Sequence, residues 1–255
     1  MSAKQGQAMN QTEPDAIISV EAQALQGRPL RHYDVAMAAF AVILICSNLI
    51  GAAKPAQIEA PLFGTITFGA GILFFPLSYV LGDVLTEVYG FARARRVVWV
   101  GFGASLFAAA MSWFIVALPP ADGYEGQAAL AAVFGQVPRI FLASILAFWA
   151  GEMANAFVLA RMKLLTGGKM LWTRTIGSTV VGQGVDSLIF YPLAFWGIWE
   201  PSLVFSVMAT NYLLKVLWEA ALTPVTYKVV AWFKRQEGLD VFDTKTDFTP
   251  FKTSI

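Results

Sequence analysis

The strongest constraint in this sequence is a series of apolar runs, each near the ~20 residues a helix needs to cross a bilayer, set apart by short polar segments. The runs cover about 34–53, 64–88, 97–118, 139–161, 176–199 and 203–232 of the 255 residues. Charged residues make up only 14% of the chain, whereas soluble domains carry about 25%. The expected fold is therefore all-α: a polytopic membrane protein whose six transmembrane helices occupy residues 32–234. Residues 1–31 and 235–255 are polar and read as a disordered cytoplasmic tail and a frayed C-terminal one. The first thirty residues hold no apolar core, which argues against a cleaved signal peptide.

Orientation follows from where Lys and Arg fall, because short cytoplasmic loops are enriched in both. With both ends inside, the inner segments hold fifteen of them, in groups such as Arg93, Arg95 and Arg96, or Arg161, Lys163, Lys169 and Arg174. The outer loops keep Lys54 and Arg139. An N-in, C-in protein of the cell's inner membrane, with the lipid bilayer as its surroundings, is the expectation. Trp99, Trp172, Trp199 and Trp232, near run ends, suit interfacial anchoring.

Several function classes lose their candidates. Cys46 is the single cysteine, so an intramolecular disulfide and a cysteine-cluster metal site are excluded. The single histidine, His32, lies outside the first run, which removes the usual base or zinc ligand. Gly167, Gly168 and Lys169 lack the upstream glycine of a phosphate loop. A net charge of +1 supports no nucleic-acid partner. No catalytic residue, cofactor or metal is expected.

The informative residues are the polar ones inside the runs. Phe75, Tyr79, Asp83 and Glu87 recur every four residues and share a helix face. Glu152 and Asn155 are neighbours on another helix, as are Gln183, Asp186 and Phe190, and Asn211, Lys215 and Glu219. An ionisable residue at mid-membrane costs roughly 2.5–3.5 kcal/mol on insertion scales. Lys215 alone cannot neutralise Asp83, Glu87, Glu152, Asp186 and Glu219, so these groups are expected to line one polar cavity between helices. The plain alternative is that each polar residue only ties helices together. Asn48, Tyr79, Asp83, Glu152, Asn155, Gln183, Asp186, Phe190, Asn211 and Lys215 form the candidate substrate-binding set. Glu87 is read separately, as an interfacial partner of Arg93, Arg95 and Arg96. Pro76, Pro192 and Pro224 are candidate bends, and Gly64, Gly69, Ala70 and Gly71 candidate close-packing positions of the second helix. Pro55 and Glu59 mark a loop folded back toward the interface, and an Ala-rich stretch after Glu125 a short interfacial helix.

The run FPLSYVLGDVLTEVYG followed by ARARR, with Ser47 and Asn48, VDSLIFYPLAFWG around Asp186 and NYLLKV around Lys215, resembles the queuosine precursor transporter family, also described as vitamin uptake transporters. The resemblance spans about 33–234. It implies a six-helix importer of the 7-deazaguanine precursors, 7-cyano-7-deazaguanine and 7-aminomethyl-7-deazaguanine, that feed tRNA queuosine modification. On it, Asn48, Asp83, Asp186 and Lys215 match polar motif positions. A fold like the substrate-binding subunits of energy-coupling-factor transporters is also implied. Those dock on a partner helix through small residues four apart in the first helix, and Ala36, Ala38, Ala39 and Ala41 have no such pair, which favours a chain that works alone.

The ligand suits the residues. A deazaguanine presents a ring N–H beside an amino group, and one carboxylate, Asp186 or Glu152, can accept both. Asn48, Gln183 or Asn155 can meet its carbonyl. The alternatives are a vitamin-binding subunit that needs an ATPase module, and an intramembrane enzyme using Asp83 and Asp186 as paired acids. Self-association is left open.

Overall fold

The computed structural model describes residues 17–25, 29–48, 55–60, 64–69, 74–135 and 138–252. Among them are seven α-helices: α1 (Tyr33–Cys46), α2 (Phe75–Tyr89), α3 (Phe91–Ala117), α4 (Gln127–Phe134), α5 (Pro138–Leu165), α6 (Leu171–Phe195) and α7 (Pro201–Glu237). Short strands β1 (Ile18–Glu21), β2 (Pro55–Ala60), β3 (Gly64–Gly69) and β4 (Leu239–Phe242) and a 3-10 turn, Ala22–Leu25, complete the described elements. The molecule is all-α in class.

Two helical stretches, Phe91–Ala117 and Gln127–Leu165, are long and apolar enough by themselves to cross a membrane. At 1.5 Å per residue α6 and α7 reach ~38 and ~55 Å, but Arg174, Asp186, Lys215 and Glu219 lower their hydropathy. Burial is inverted relative to a soluble protein. Phe107, Trp113, Phe114, Leu188 and Leu217 are exposed, while Asp83, Glu87, Glu152, Lys163 and Glu219 are buried. Charged residues are almost never fully buried in a soluble fold unless paired, and large apolar faces are rarely left open. The pattern fits apolar surroundings outside and polar function inside.

The apolar core joins α1, α2, α3 and α5 through Phe40, Leu44, Val84, Val88, Phe91, Val97 and Phe148. α5 and α6 pack most closely. Glycines permit this: a Cβ at Gly151 would lie 2.8 Å from the Gly182 carbonyl oxygen, and one at Gly182 would lie 2.9 Å from that of Gly151.

The second apolar run departs from expectation. Residues Gly64–Gly69 form β3, antiparallel to β2 from Pro55↔Gly69 to Ala60↔Gly64, and the helix begins only at Phe75. Thr65, Ile66, Thr67 and Phe68 have the β-branched and aromatic content of a strand. Pro76 therefore sits in the first turn of α2, where its missing N–H costs nothing. It is no mid-helix bend. Gly64 and Gly69 end a strand rather than pack a helix, Pro55 and Glu59 belong to β2, and Ala70, Gly71 and Lys54 lie outside the described residues. The Ala-rich stretch after Glu125 forms α4.

α2 and α3 are joined at Gly90 alone, at φ 82°, a left-handed value that glycine tolerates. A Cβ there would come within 3.0 Å of Val241 and 3.1 Å of the Asp243 carboxylate. Arg93, Arg95 and Arg96 consequently lie on the first turns of α3, not in a loop.

The described parts of the two tails meet each other and the start of α3. β1 pairs in parallel with β4, from Ile18↔Leu239 to Glu21↔Phe242. Arg93 donates to the Leu25 carbonyl (3.0 Å), Arg95 to the carbonyls of Asp247 (2.9 Å) and Thr249 (2.6 Å), and Trp99 to that of Pro250 (2.8 Å). The Phe91 N–H donates to Asp243 at 3.0 Å. Burial pushes the Asp243 carboxyl above its usual range, with this N–H bond pulling the other way. Buried guanidinium groups at the start of α3 need acceptors, and the tail supplies them.

Candidate functional site

α2, α5, α6 and α7 bring together polar side chains that the sequence distributes over 140 positions from Tyr79 to Glu219. Asn155 on α5 donates to Asp83 on α2 at 2.7 Å. Lys215 on α7 donates to Asp186 on α6 at 2.6 Å, joining helices whose sequence order alone gives no register. Tyr79 lies one turn before Asp83 on the same face of α2, with its ring stacked on Phe75 at 6.5 Å.

Glycine again sets the geometry. The Glu152 carboxylate occupies the space that a Cβ on Gly82 would take, so α5 can send an acid up against the α2 backbone. The Asp186 Cβ lies 2.9 Å from where a Gly151 side chain would begin. Glu152, Asp83 and Asp186 reach one region because three helices have no side chain at those points of approach.

Many polar atoms of this region have no partner. Asp83 Oδ2, Glu152 Oε1, Asn155 Oδ1, Gln183 Oε1, Ser187 Oγ and both Glu219 carboxylate oxygens are buried without one. Each such atom costs about 1–3 kcal/mol when left unmade, more for a charged group. They are concentrated on α2, α5, α6 and α7. Among the described residues no three acidic, histidine or cysteine side chains converge closely enough to hold a metal ion.

Not every candidate joins this group. Asn48 follows α1 in a single π turn, donates to the Leu44 carbonyl (2.9 Å) and accepts from Ser144 (3.1 Å). Ser144 precedes Glu152 by eight residues of α5, ~12 Å along the axis. Phe190 packs edge-on against Tyr191 (5.0 Å) and Phe195 (5.8 Å), in an aromatic group that ends with Phe195 stacked on Trp199 at 3.8 Å. Asn211 donates to the Val207 carbonyl on its own helix at 3.1 Å. Glu219 of α7, outside the candidate set, is 1% exposed, and both its carboxylate oxygens are buried without a partner. Its four-residue spacing from Lys215 was the available signal.

One turn along α2 from Asp83, Glu87 is fully buried in a cage of cations. Arg174 of α6 holds both carboxylate oxygens, Nε to Oε2 and Nη2 to Oε1, each at 2.8 Å. Lys234 of α7 donates to Oε1 at 2.6 Å, and Lys163 of α5 donates to the Glu87 carbonyl (2.6 Å) and stands 3.3 Å from the carboxylate. Asp240 of β4 closes the cage, pairing with Lys163 (2.6 Å) and Lys234 (2.7 Å). Glu87 is thus no partner of Arg93, Arg95 or Arg96. Those three turn away at the Gly90 corner, while three other helices converge on the acid.

An apolar groove of about 520 Å³ lies elsewhere, between α3, α4 and α5, lined by Leu106, Trp113, Val116, Val133, Phe134 and Phe141. It contains no charged residue and is separate from the polar centre.

Comparison with known proteins follows this geometry closely. Residues 69–229, which include α2 to most of α7, match the family described as "Putative vitamin uptake transporter". The chain is 32% identical over 167 residues to "Probable queuosine precursor transporter" of Bacillus subtilis (strain 168), covering 65% of this chain and 72% of that one. It is 29% identical to "Queuosine precursor transporter" of Escherichia coli (strain K12), over 49% of this chain and 54% of that protein. A similar protein of Haemophilus influenzae is 26% identical over 51% of this chain and 53% of its own length. No solved structure matches the chain.

Proposed function

This chain belongs to the vitamin uptake transporter family, and from that premise we propose that it imports queuosine precursors, 7-cyano-7-deazaguanine or 7-aminomethyl-7-deazaguanine, across the inner membrane. The observation that carries the reading is the group of unpartnered buried oxygens between α2, α5, α6 and α7, beside the Lys215–Asp186 pair. A deazaguanine brings adjacent ring N–H and amino donors, which a carboxylate accepts as a bidentate, charge-assisted contact. Asp186, oriented by Lys215, is the proposed acceptor, with Gln183 one turn before it on α6 and Tyr79 covering a ring face. Glu152, Asn155, Lys215 and Asn211 border the same space, and Asn48 and Phe190 serve it from farther out.

In this reading six membrane-crossing helices have both ends in the cytoplasm, because Arg93, Arg95, Lys163, Arg174 and Lys234 all gather at the end that carries β1 and β4. The Glu87 cage is then the closed inner side of the site. Release to the cytoplasm requires the helices that meet there to separate, with Pro192 in α6 and Pro224 in α7 as bending points. Proton uptake by Glu152 or Asp83 along with the substrate is the proposed coupling. No chemistry is done on the ligand, which leaves unchanged in mass.

The test is binding of both deazaguanines and of guanine to purified protein, followed by uptake into vesicles containing this chain alone. Precursor binding tighter than guanine, with accumulation inside, is the expected result. Guanine affinity equal to that of the precursors overturns the substrate assignment. Uptake that survives collapse of the proton gradient at constant pH overturns the coupling.

A further inference from the structure

We propose that Asp83, Glu152 and Glu219 form a subsite for a protonated primary amine, with Glu219 as a ligand-binding residue. The inference rests on the import reading above and deepens it, since it selects the amine-bearing precursor over the nitrile.

The three carboxylates come from α2, α5 and α7 and are 1%, 3% and 1% exposed. The Glu152 carboxylate lies against Gly82, the residue before Asp83, and α2 packs against both α5 and α7. The cations that form ion pairs between the described helices are held by other acids. Lys215 is held by Asp186, and Lys163, Arg174 and Lys234 by Glu87 and Asp240. No ion pair among the described residues includes Asp83, Glu152 or Glu219.

A second observation is independent of the acids. Asn155 and Gln183, 5% and 4% exposed, each keep a side-chain oxygen without a donor. Across these five residues every unpartnered side-chain atom is an acceptor: Asp83 Oδ2, Glu152 Oε1, both oxygens of Glu219, Asn155 Oδ1 and Gln183 Oε1. The Asn155 amide already gives one hydrogen to Asp83. Such a lining requires donors and positive charge from its ligand. A –CH2NH3+ group supplies three N–H donors and one charge. A nitrile in the same place supplies only another acceptor, so the oxygens that face the 7-substituent would meet no donor. The glycine at position 82 lets Glu152 reach this point, so the amine sits against α2 while the ring extends toward Tyr79 and Gln183.

Isothermal titration calorimetry on the purified full chain near neutral pH tests this directly. The wild type is expected to bind 7-aminomethyl-7-deazaguanine at least about tenfold more tightly than 7-cyano-7-deazaguanine. In Glu219→Gln the ratio of the two affinities is expected to fall to about threefold or less. Glu152→Gln serves as the second variant, each first checked for monodisperse elution. Equal affinities in the wild type, a preference for the nitrile, or an unchanged ratio in both variants overturns the subsite. Binding of neither precursor overturns the import reading and the subsite with it.

Discussion

Arg174 grips Glu87 with two parallel hydrogen bonds of 2.8 Å, from Nε and Nη2 to the two carboxylate oxygens. The pair lies 87 residues apart in sequence and has essentially no solvent exposure. This fork geometry is available to arginine and not to lysine. It fixes the end of α2 against the start of α6, and Lys163 and Lys234 add α5 and α7 to the same carboxylate.

Glu87→Gln removes the charge that three buried cations share. Breaking one partner of a buried ionic group costs about 3–5 kcal/mol, and Glu87 is fully buried, so little of that is screened. A drop of this size in unfolding free energy, read as a lower thermal midpoint in detergent, is the expected outcome. Arg174→Lys is expected to lose part of it, because the fork is lost while the charge remains.

The Lys215–Asp186 pair is partly open, with 25% and 12% of its side chains exposed. Removing one member should therefore cost less than at Glu87, about 2 kcal/mol against the ~3–5 of a sealed pair. Lys215→Met and Asp186→Asn are each expected to lower the thermal midpoint. The double variant is expected to lie above the sum of the two losses, as a double-mutant cycle will report.

Gly82→Ala puts a methyl where the Glu152 carboxylate now lies. The carboxylate is the far end of a flexible side chain, so it can swing aside, and alanine in a helix is worth up to about 1 kcal/mol over glycine. Stability close to wild type with about tenfold weaker precursor binding, 1.4 kcal/mol, is the expected split. Unchanged affinity would show that Glu152 does not contact the ligand from this position.

Ending the chain after Gly238 deletes Asp240, Asp243 and the carbonyls that receive Arg95 and Trp99. Hydrogen bonds to charged groups contribute about 1.5–3 kcal/mol each. Loss of at least about 2 kcal/mol is expected, seen as a lower thermal midpoint and faster exchange of the α3 N-terminal amides.

Asp243 is raised above its usual carboxylate range by burial, so the docked tail binds its proton more tightly than the free tail does. That contribution to docking is complete below the free carboxylate pKa near ~3.9 and is lost as pH rises through the raised value. Tail protection from protease is expected to fall over that window, and Asp243→Asn to flatten the fall.

α3, α5 and α6 lie within a few residues of the apolar runs that announce them, because a long helix with an apolar exterior leaves its length in the hydropathy. The second run misled because Gly64 to Gly71 is equally apolar as strand or helix. Only the alternation at Thr65–Ile66–Thr67 separates them. Pairings were less legible. Nearness in sequence favoured Arg93 for Glu87, yet the corner at Gly90 sends the two in different directions. Glu219 carried the same spacing as its neighbours, and nothing on its own helix says that its carboxylate would be buried without a partner. The tails looked dispensable because the guanidinium groups that need them are buried, and burial is a property of the fold.

The parallel pairing of β1 with β4, and the hold of Glu237 on the N–H groups of Arg31 and His32 and on the Tyr89 hydroxyl, has a consequence for biosynthesis. Asp240, Asp247 and Thr249 are made long after Lys163 and Arg95, the cations they receive. Arg95 and Lys163 therefore wait for these acceptors while the intervening helices are made, and the pole is completed later than the helices that it closes.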